Sequence, residues 1–337
     1  MKSKNLLFLA IILLSLISLS WGFLSGNKVD EETYVYTSTI TYSNTDSTDL
    51  MLNNKYCIFD IFMNTSLQTV YLLNTSHTYE IINDADGNPT IIMSLTPVPA
   101  FENVTVSYSL KIESVTEEPP LINFSSSGNI NEIPKELQNY TLRVGSWLTE
   151  NQSLKNLAYQ IKGEKTNVLE IVTSLADWIG NSISSYSSDY PLYPTETYNS
   201  KRGDCDDQAN LLITLCRILG IPAYLQIGLL ETASQKQETY FEGHITYYTK
   251  HISYHAWAII YVPPWGWLPF DMTLGWDPFS SLKIITSAPI WSSNTVQMWN
   301  ITQSDWAGEG RKEKEILNSQ LYIQYEDILS SEQWEPM

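Results

Sequence analysis

The feature that most constrains this sequence is a run of apolar residues at helical spacing, which a cysteine opens and a Gly-x-Pro sequence closes. The apolar positions recur every three or four residues and form one stripe, made of Ala209, Leu212, Leu215, Cys216 and Leu219. Asp204 is a typical N-cap, and Gly220 followed by Pro222 is the usual order at a helix C-terminus. The pattern predicts a helix over residues 204–219, packed into a core, with Cys205 in its first turn.

That position suits a nucleophilic cysteine. Free backbone N–H groups and the positive end of the helix dipole favour the Cys205 thiolate, and the same N–H groups can stabilise an oxyanion on a substrate. Gly203 permits a sharp turn directly before the helix. Asp204, Asp206 and Asp207 oppose the thiolate through their charge. A nucleophilic Cys205 therefore requires a cationic partner.

Two strand-like runs further along the chain supply this partner. Residues 253–262 and 267–273 are rich in β-branched and aromatic residues, and the turn sequence between them predicts a hairpin. His255 lies on the first run and Asp271 on the second. In a Cys-His-Asp arrangement, Cys205 attacks, the histidine carries the proton and the aspartate orients the imidazole.

The proposed triad also predicts the register of the hairpin. A three-residue loop at 263–265 pairs Val262 with Gly266, and this register puts Asp271 diagonally opposite His255 on the same face. A four-residue loop would put the two side chains on opposite faces. Contact between His255 and Asp271 therefore requires the shorter loop.

These residues together resemble the transglutaminase-like superfamily, over roughly residues 160–290. The resemblance is carried by four short motifs in the same order: Gly203-Asp204-Cys205, Leu219-Gly220-Ile221-Pro222-Ala223, His255-Ala256-Trp257 and Asp271-Met272-Thr273, the last in place of Asp-Pro-Thr. It implies a papain-like α+β fold and acyl transfer at amide bonds, by transamidation, deamidation or peptide hydrolysis.

The resemblance also implies roles for individual residues: Cys205 as nucleophile, His255 as base and Asp271 as the orienting carboxylate. Asn199, six residues upstream of the cysteine, is a candidate second oxyanion donor, and Trp257 is a candidate for the lining of a substrate groove. No calcium-loop pattern and no dedicated amine site are visible in the sequence. We therefore expect hydrolysis rather than cross-linking, with no cofactor and no metal.

Three other interpretations remain open at this point. The chain could keep the same fold as a non-catalytic surface, scaffold or binding protein. A Cys57–Cys205 disulfide can form outside the cytoplasm, and it would abolish the proposed activity. A metal site could instead be formed by three histidines, namely His244, His251 and His255.

The N-terminal part of the chain follows a different periodicity. Five apolar residues alternate strictly with polar ones, which predicts antiparallel strands with one buried face: Val104, Val106, Tyr108, Leu110 and Ile112. Asp86-Gly87 marks a turn between two further strand-like runs. The predicted fold class is therefore α+β, with an N-terminal antiparallel β-sandwich-like domain followed by a transglutaminase-like domain.

The predicted organisation divides the chain into five segments. They are a signal peptide or membrane anchor at 1–27, a β-sandwich-like domain at 33–115, a connector at 116–160, the transglutaminase-like domain at 161–299 and a C-terminal extension at 300–337.

The first segment predicts where the protein is found. Lys2 and Lys4 precede an apolar run over residues 6–24, which is typical of a secretory signal or an uncleaved N-terminal anchor. Either alternative puts the rest of the chain outside the cytoplasm. Seven N-x-S/T sequons, mostly between residues 64 and 151, indicate a glycosylated surface.

Charge narrows the range of partners. Nineteen Lys and Arg residues stand against 37 Asp and Glu residues, for a net charge of -18. Nucleic-acid binding needs a cationic surface, so it is excluded as a general function. The expected partner is a polypeptide substrate, with membrane contact only through an uncleaved N-terminal segment; the oligomeric state is open.

Overall fold

The computed structural model describes residues 31–274 and 294–331. Within these ranges the strands are β1 (Glu31–Asn44), β2 (Ile58–Asp60), β3 (Gln68–Thr75), β4 (Tyr79–Asn83), β5 (Pro89–Met93), β6 (Asn103–Val115), β7 (Ala223–Tyr240), β8 (Ile245–Val262), β9 (Gly266–Phe270), β10 (Thr295–Ile301) and β11 (Leu321–Ser330). The α-helices are α1 (Gln152–Lys162), α2 (Val168–Ser182), α3 (Pro194–Ser200), α4 (Cys205–Ile218) and α5 (Trp306–Lys312).

One long sheet runs through both the N-terminal and the C-terminal parts of the described chain. Its strand order is β10-β7-β8-β11-β1-β6-β3, and β9 pairs with β8 beside this path. Neighbouring strands are antiparallel, except that β11 runs parallel to β8. Strand β11 therefore joins the strands of the N-terminal part to those of the transglutaminase-like part.

The N-terminal part is rich in β-strands, as its alternating pattern predicts. A second sheet, in the order β2-β5-β4, packs against the long sheet through aromatic side chains. Phe59 on β2 lies 6.1 Å from Tyr108 on β6, and Phe62 lies 4.7 Å from Tyr36 on β1, between ring centroids. Because the inward positions alternate with outward polar ones, the two sheets form the predicted sandwich-like arrangement.

Two segments differ from what the sequence predicts. Residues 321–330, interpreted as part of a C-terminal extension, form strand β11 inside the long sheet, where Leu321, Ile323 and Leu329 are buried. Helix α1 forms within the predicted connector, because Leu154, Leu157 and Ala158 recur at helical spacing and are buried. The predicted domain boundaries themselves stay predictions.

Helix α4 forms the centre of the transglutaminase-like part. Every residue from Asp207 to Arg217 is buried, and the helix packs between α1, α2 and α3 and the face of β7 and β8. A helix buried all round cannot move without disturbing several neighbours. Cys205, its first residue, is consequently held at a fixed place against β8.

The predicted N-terminal signal or anchor, residues 1–27, lies outside the described residues. Across 31–274 and 294–331, no helix combines the length and the hydropathy that a membrane span needs.

Candidate active site

The turn before α4 is shaped by Gly203. A Cβ atom placed on this glycine would lie 2.6 Å from Asp207 Cβ and 3.0 Å from Thr197 Cγ2. Both distances are shorter than normal contacts, so any larger residue would push this turn away from α4. The glycine is therefore required by close packing behind Cys205, in the place where the sequence predicts a tight turn.

The hairpin of β8 and β9 has the predicted register. Val262 pairs with Gly266, and the pairing continues to Ala258 opposite Phe270. His255 Nε2 and Asp271 Oδ2 are 2.6 Å apart, and only 7% of the histidine and 1% of the aspartate are exposed. The structure thus joins the two side chains that the three-residue loop was predicted to bring together.

Asp271 is held as an ionised carboxylate. Its Oδ1 atom accepts hydrogen bonds from the N–H and the hydroxyl of Thr273 and from the N–H of Leu274, at 2.9–3.0 Å. Burial alone would raise the pKa of Asp271, but His255 and these donors bring the pKa below its ordinary value. The ionised carboxylate accepts a hydrogen bond from the Nε2–H of His255, so Nδ1 is the ring nitrogen that remains to take a proton from another group.

Cys205 lies against the same strand. Burial, followed by the charges of Asp206 and Asp204, disfavours the thiolate and outweighs the backbone N–H groups of Ala256 and Asp206, which favour it. The pKa of the Cys205 thiol is therefore raised well above its usual value. Among the described residues no hydrogen bond joins the thiol to the His255 ring.

Three carboxyl groups crowd the first turn of α4. Burial, together with the neighbouring carboxyls, raises the pKa of Asp204 to about 9 and that of Asp207 to about 8. Asp206 accepts a hydrogen bond from Trp306 Nε1 on α5, at 2.6 Å. One oxygen each of Asp204 and Asp207 is buried without a hydrogen-bond partner. The two raised pKa values mean that the turn carries less negative charge at neutral pH than its sequence suggests.

The ligand atoms of Asp204, Cys205 and Asp206 lie within 4.8 Å of one another, which makes them a possible metal-binding group in the described part of the chain. The proximity of acidic side chains is also explained by shared protons, so we assign no metal here. Among the described residues the three histidines do not form such a group: His244 Nδ1 is 2.8 Å from the carbonyl oxygen of Leu321, and His255 pairs with Asp271.

Two further residues singled out from the sequence, Trp257 and Asn199, have different outcomes in the structure. Trp257 does not line a groove: it is completely buried, its Nε1 donates to Gln226 Oε1 at 3.0 Å, and its ring packs against Gly228. This corrects the groove prediction, because the tryptophan fills the space left by Gly228, its diagonal neighbour on β7. Asn199 is exposed on α3, and its role as an oxyanion donor stays a prediction.

The disulfide alternative is not formed, since Cys57, Cys205 and Cys216 are all free. Other contacts of the site have no signal in the sequence. Leu192 N donates to Asp207 Oδ1, and Trp306 reaches Asp206 from a helix 100 residues away. Only the spacing of Thr273 two residues after Asp271 indicates a local hydrogen bond before the structure is known.

Comparisons with known proteins agree with this geometry. Residues 155–272 match the family model of the transglutaminase-like superfamily. The uncharacterized protein YebA of Bacillus subtilis (strain 168) is 23% identical over 132 residues, which are 37% of this chain and 18% of that protein. The chain thus matches less than one fifth of the length of this curated relative.

A solved structure extends the likeness beyond the matched domain. A candidate cysteine protease from Cytophaga hutchinsonii is 17% identical, with a TM-score of 0.56 over 91% of this chain and 93% of that one. At this identity the likeness concerns the fold. Residues 155–272 of this chain form a transglutaminase-like domain, and the matches support a cysteine-based enzyme with a papain-like fold at the level of that superfamily.

Proposed function

We propose that this protein is an extracytoplasmic thiol enzyme that transfers the acyl group of a peptide or glutamine amide through Cys205. The observation that carries the proposal is the buried His255–Asp271 pair, which lies on the strand whose Ala256 N–H reaches the Cys205 sulfur. A histidine with Nε2 held by a carboxylate presents a basic Nδ1, which is the group that a buried thiol needs.

The first half of the reaction forms a thioester. His255 Nδ1 takes the proton of the Cys205 thiol, and the sulfur attacks the amide carbonyl carbon. The Cys205 backbone N–H, at the open end of α4, donates to the oxygen that becomes negatively charged. As the C–N bond breaks, the imidazolium returns its proton to the leaving amine or ammonia.

The second half releases the acyl group. Water, deprotonated by His255, attacks the thioester carbonyl, and the proton goes back to the thiolate of Cys205. An amine in place of water would give a cross-link instead. We favour water because the sequence shows no dedicated amine site near the triad.

The raised pKa of Cys205 is the observation that favours the second candidate, a non-catalytic surface or scaffold protein with the same fold. The two candidates differ in what His255 does to the thiol. In the enzyme, transfer of the proton to His255 creates an ion pair and offsets the carboxylates. In a scaffold, Cys205 stays an unreactive thiol.

Location outside the cytoplasm is part of the proposal. Its support is the charged and apolar start of the sequence together with the sequons, of which Asn64, Asn74, Asn103 and Asn139 are exposed. Fractionation of cells that express the full chain, with protease added to intact cells, tests it. Digestion only after lysis would contradict an outer location.

The catalytic proposal is tested by iodoacetamide labelling of the full chain at pH 7, with mass spectrometry of each cysteine. Cys57 is an internal reference, because it is also partly buried and lies in the N-terminal part. We expect Cys205 to be labelled about tenfold faster than Cys57, as for a histidine-activated thiol. In His255→Ala the ratio should fall to about one, and in the control variant His77→Ala it should not change.

The outcome that contradicts catalysis is a wild-type ratio at or below one, or a ratio that His255→Ala leaves unchanged. If the wild-type protein passes, glutamine peptides incubated with putrescine in ¹⁸O-water separate the two acceptors. Incorporation of ¹⁸O supports hydrolysis, and a putrescine adduct supports cross-linking.

A further inference from the structure

His255 lies on a part of β8 that has a neighbouring strand on one side only. Strand β11 pairs with β8 as far as Lys250, and β9 pairs with it from Ala258 onward. Between these points the described pairing of β8 is with β7 alone. The backbone is also irregular here: His251 has a φ of 62°, and the β7 register shifts between Glu231 and Gln235.

Residues 251–257 of β8 have β7 as their neighbour on one edge, but no described strand pairs with their second edge; we call them the unpaired segment for that reason. A catalytic base must nevertheless be held in place, since a displacement of about 1 Å can lower a rate about 100-fold. Pairing with β7 holds one edge of this segment, so contacts other than strand pairing have to hold the second edge.

Two carboxylates fulfil this role at the ends of the neighbouring strands. Asp271, directly after β9, binds His255 Nε2. Asp327, near the end of β11, accepts the Tyr254 hydroxyl at 2.7 Å, and only 1% of its surface is exposed. Successive strand residues point to opposite faces, so the two bonds hold adjacent residues of the unpaired segment from both faces of the sheet.

Asp327 is itself fixed by the N-terminal part of the molecule. Its other oxygen accepts the Tyr36 hydroxyl of β1 at 2.9 Å, and the Ser38 side chain bonds it as well. These anchors belong to strands that the matched family region, residues 155–272, does not include. Strands β1 and β11, which lie outside that region, thus help to hold Tyr254, the residue next to His255.

We propose that Asp327 is a positioning residue, which holds the unpaired segment through the Tyr254 hydroxyl and thereby fixes His255 beside Cys205. This inference rests on the proposed function for its effect on reactivity. Its structural content, the immobilisation of the His255 ring, does not depend on catalysis. The two parts can therefore be tested separately.

Two tyrosines provide a matched pair of variants. Tyr254→Phe and Tyr36→Phe each delete one hydroxyl bonded to the same buried carboxylate, but only Tyr254 belongs to the unpaired segment. In Tyr36→Phe, Asp327 keeps its bonds to Tyr254 and Ser38. Tyr36 is buried, with 2% of its surface exposed, whereas 38% of Tyr254 is exposed, so we expect Tyr36→Phe to lower the melting temperature of the full chain at least as much as Tyr254→Phe.

Reactivity should separate them. We expect Cys205 labelling by iodoacetamide, relative to Cys57, to fall about tenfold in Tyr254→Phe and to stay within about twofold of wild type in Tyr36→Phe. Equal slowing in both variants, or slowing in neither, would overturn the positioning role, because a purely structural bond predicts no difference between them.

The second readout is the His255 ring N–H signal in ¹⁵N-histidine NMR of the full chain. We expect a protected, hydrogen-bonded Nε2–H resonance in wild type and in Tyr36→Phe, and a broadened or lost one in Tyr254→Phe. If His255→Ala fails to slow labelling, the proposed function is wrong, whereas this resonance still decides the positioning role. A resonance unchanged in Tyr254→Phe would overturn that role.

Discussion

Asp271 and Asp207 are both buried carboxyl groups close to the proposed nucleophile and base, with 1% and 0% of their surface exposed. Asp271 accepts three hydrogen bonds at Oδ1 and pairs with His255 at Oδ2, and its pKa is lowered. Asp207 binds Leu192 N through Oδ1, has no partner at Oδ2, and its pKa is raised to about 8. Burial raises both pKa values; at Asp271 the His255 partner and the three donors outweigh burial, whereas at Asp207 burial and the charge of Asp206 outweigh the donors.

The two groups therefore contribute to stability at opposite ends of the pH range. A lowered pKa means that Asp271 stabilises the fold above pH about 4, the ordinary value, and that this stabilisation is lost as the pH falls further. A raised pKa means that Asp207 contributes fully below about pH 4, and that this contribution is lost as the pH rises toward about 8.

Of the variants that test the difference between Asp271 and Asp207, His255→Ala is expected to change the free energy of unfolding most. The variant leaves Asp271 as a buried charge without its closest partner, and we expect the free energy of unfolding to fall by about 3 kcal/mol at pH 7. At pH 3 the deficit should shrink, because a protonated Asp271 no longer needs the partner. Urea unfolding at both pH values measures this difference.

The double variant His255→Ala/Asp271→Asn is the control for that experiment. It removes the charge together with its partner and should recover part of the lost stability. Equal deficits of His255→Ala at pH 7 and pH 3 would show that lost packing, and not the unpaired charge, causes the destabilisation.

A smaller effect of the opposite sign is expected from Asp207→Asn. The amide keeps the acceptor for Leu192 N–H and carries no charge, so we expect the variant to gain free energy of unfolding over wild type as the pH rises toward 8. At pH 4 wild type and variant should be nearly equal, since the carboxyl of Asp207 is neutral in both states there. A stability difference that does not grow between pH 4 and pH 8 would contradict an unpartnered, raised-pKa carboxyl.

The sequence predicted those parts of the site that depend on local patterns. The apolar stripe located α4 to within one residue, from 204–219 to Cys205–Ile218, because helix caps and spacing are local properties. The hairpin register followed from the loop length, and the alternation of the N-terminal strands followed from their buried face.

The rest depended on contacts between residues far apart in the chain. Strand β11 reads as an extension because its partners, β1 and β8, are about 290 and 80 residues away, and nothing in its own sequence indicates them. The burial of Trp257 has no signal in its own segment, because the glycine that it covers, Gly228, belongs to the neighbouring strand β7. Asp327 was missed for the same reason, since its two tyrosine partners lie on β1 and β8.

The smallest effect is expected from Gly203→Ala, which tests whether crowding keeps Asp207 without a second partner. The new methyl group would meet Asp207 Cβ at 2.6 Å and Asp207 Oδ2 at 3.1 Å, so the turn has to shift. We expect a loss of about 1.5 kcal/mol in the free energy of unfolding.

Gly220→Ala, at the other end of α4, is the matched control. Its φ is +77° and its Cβ would have no neighbour within 4 Å, so its loss of stability comes from backbone strain alone. Crowding predicts that the shifted turn lets water reach Oδ2, which lowers the pKa of Asp207 and flattens the change of stability between pH 4 and pH 8 in Gly203→Ala only. The same flattening in Gly220→Ala, or none in either variant, would mean that the packing at Gly203 does not control the ionisation of Asp207.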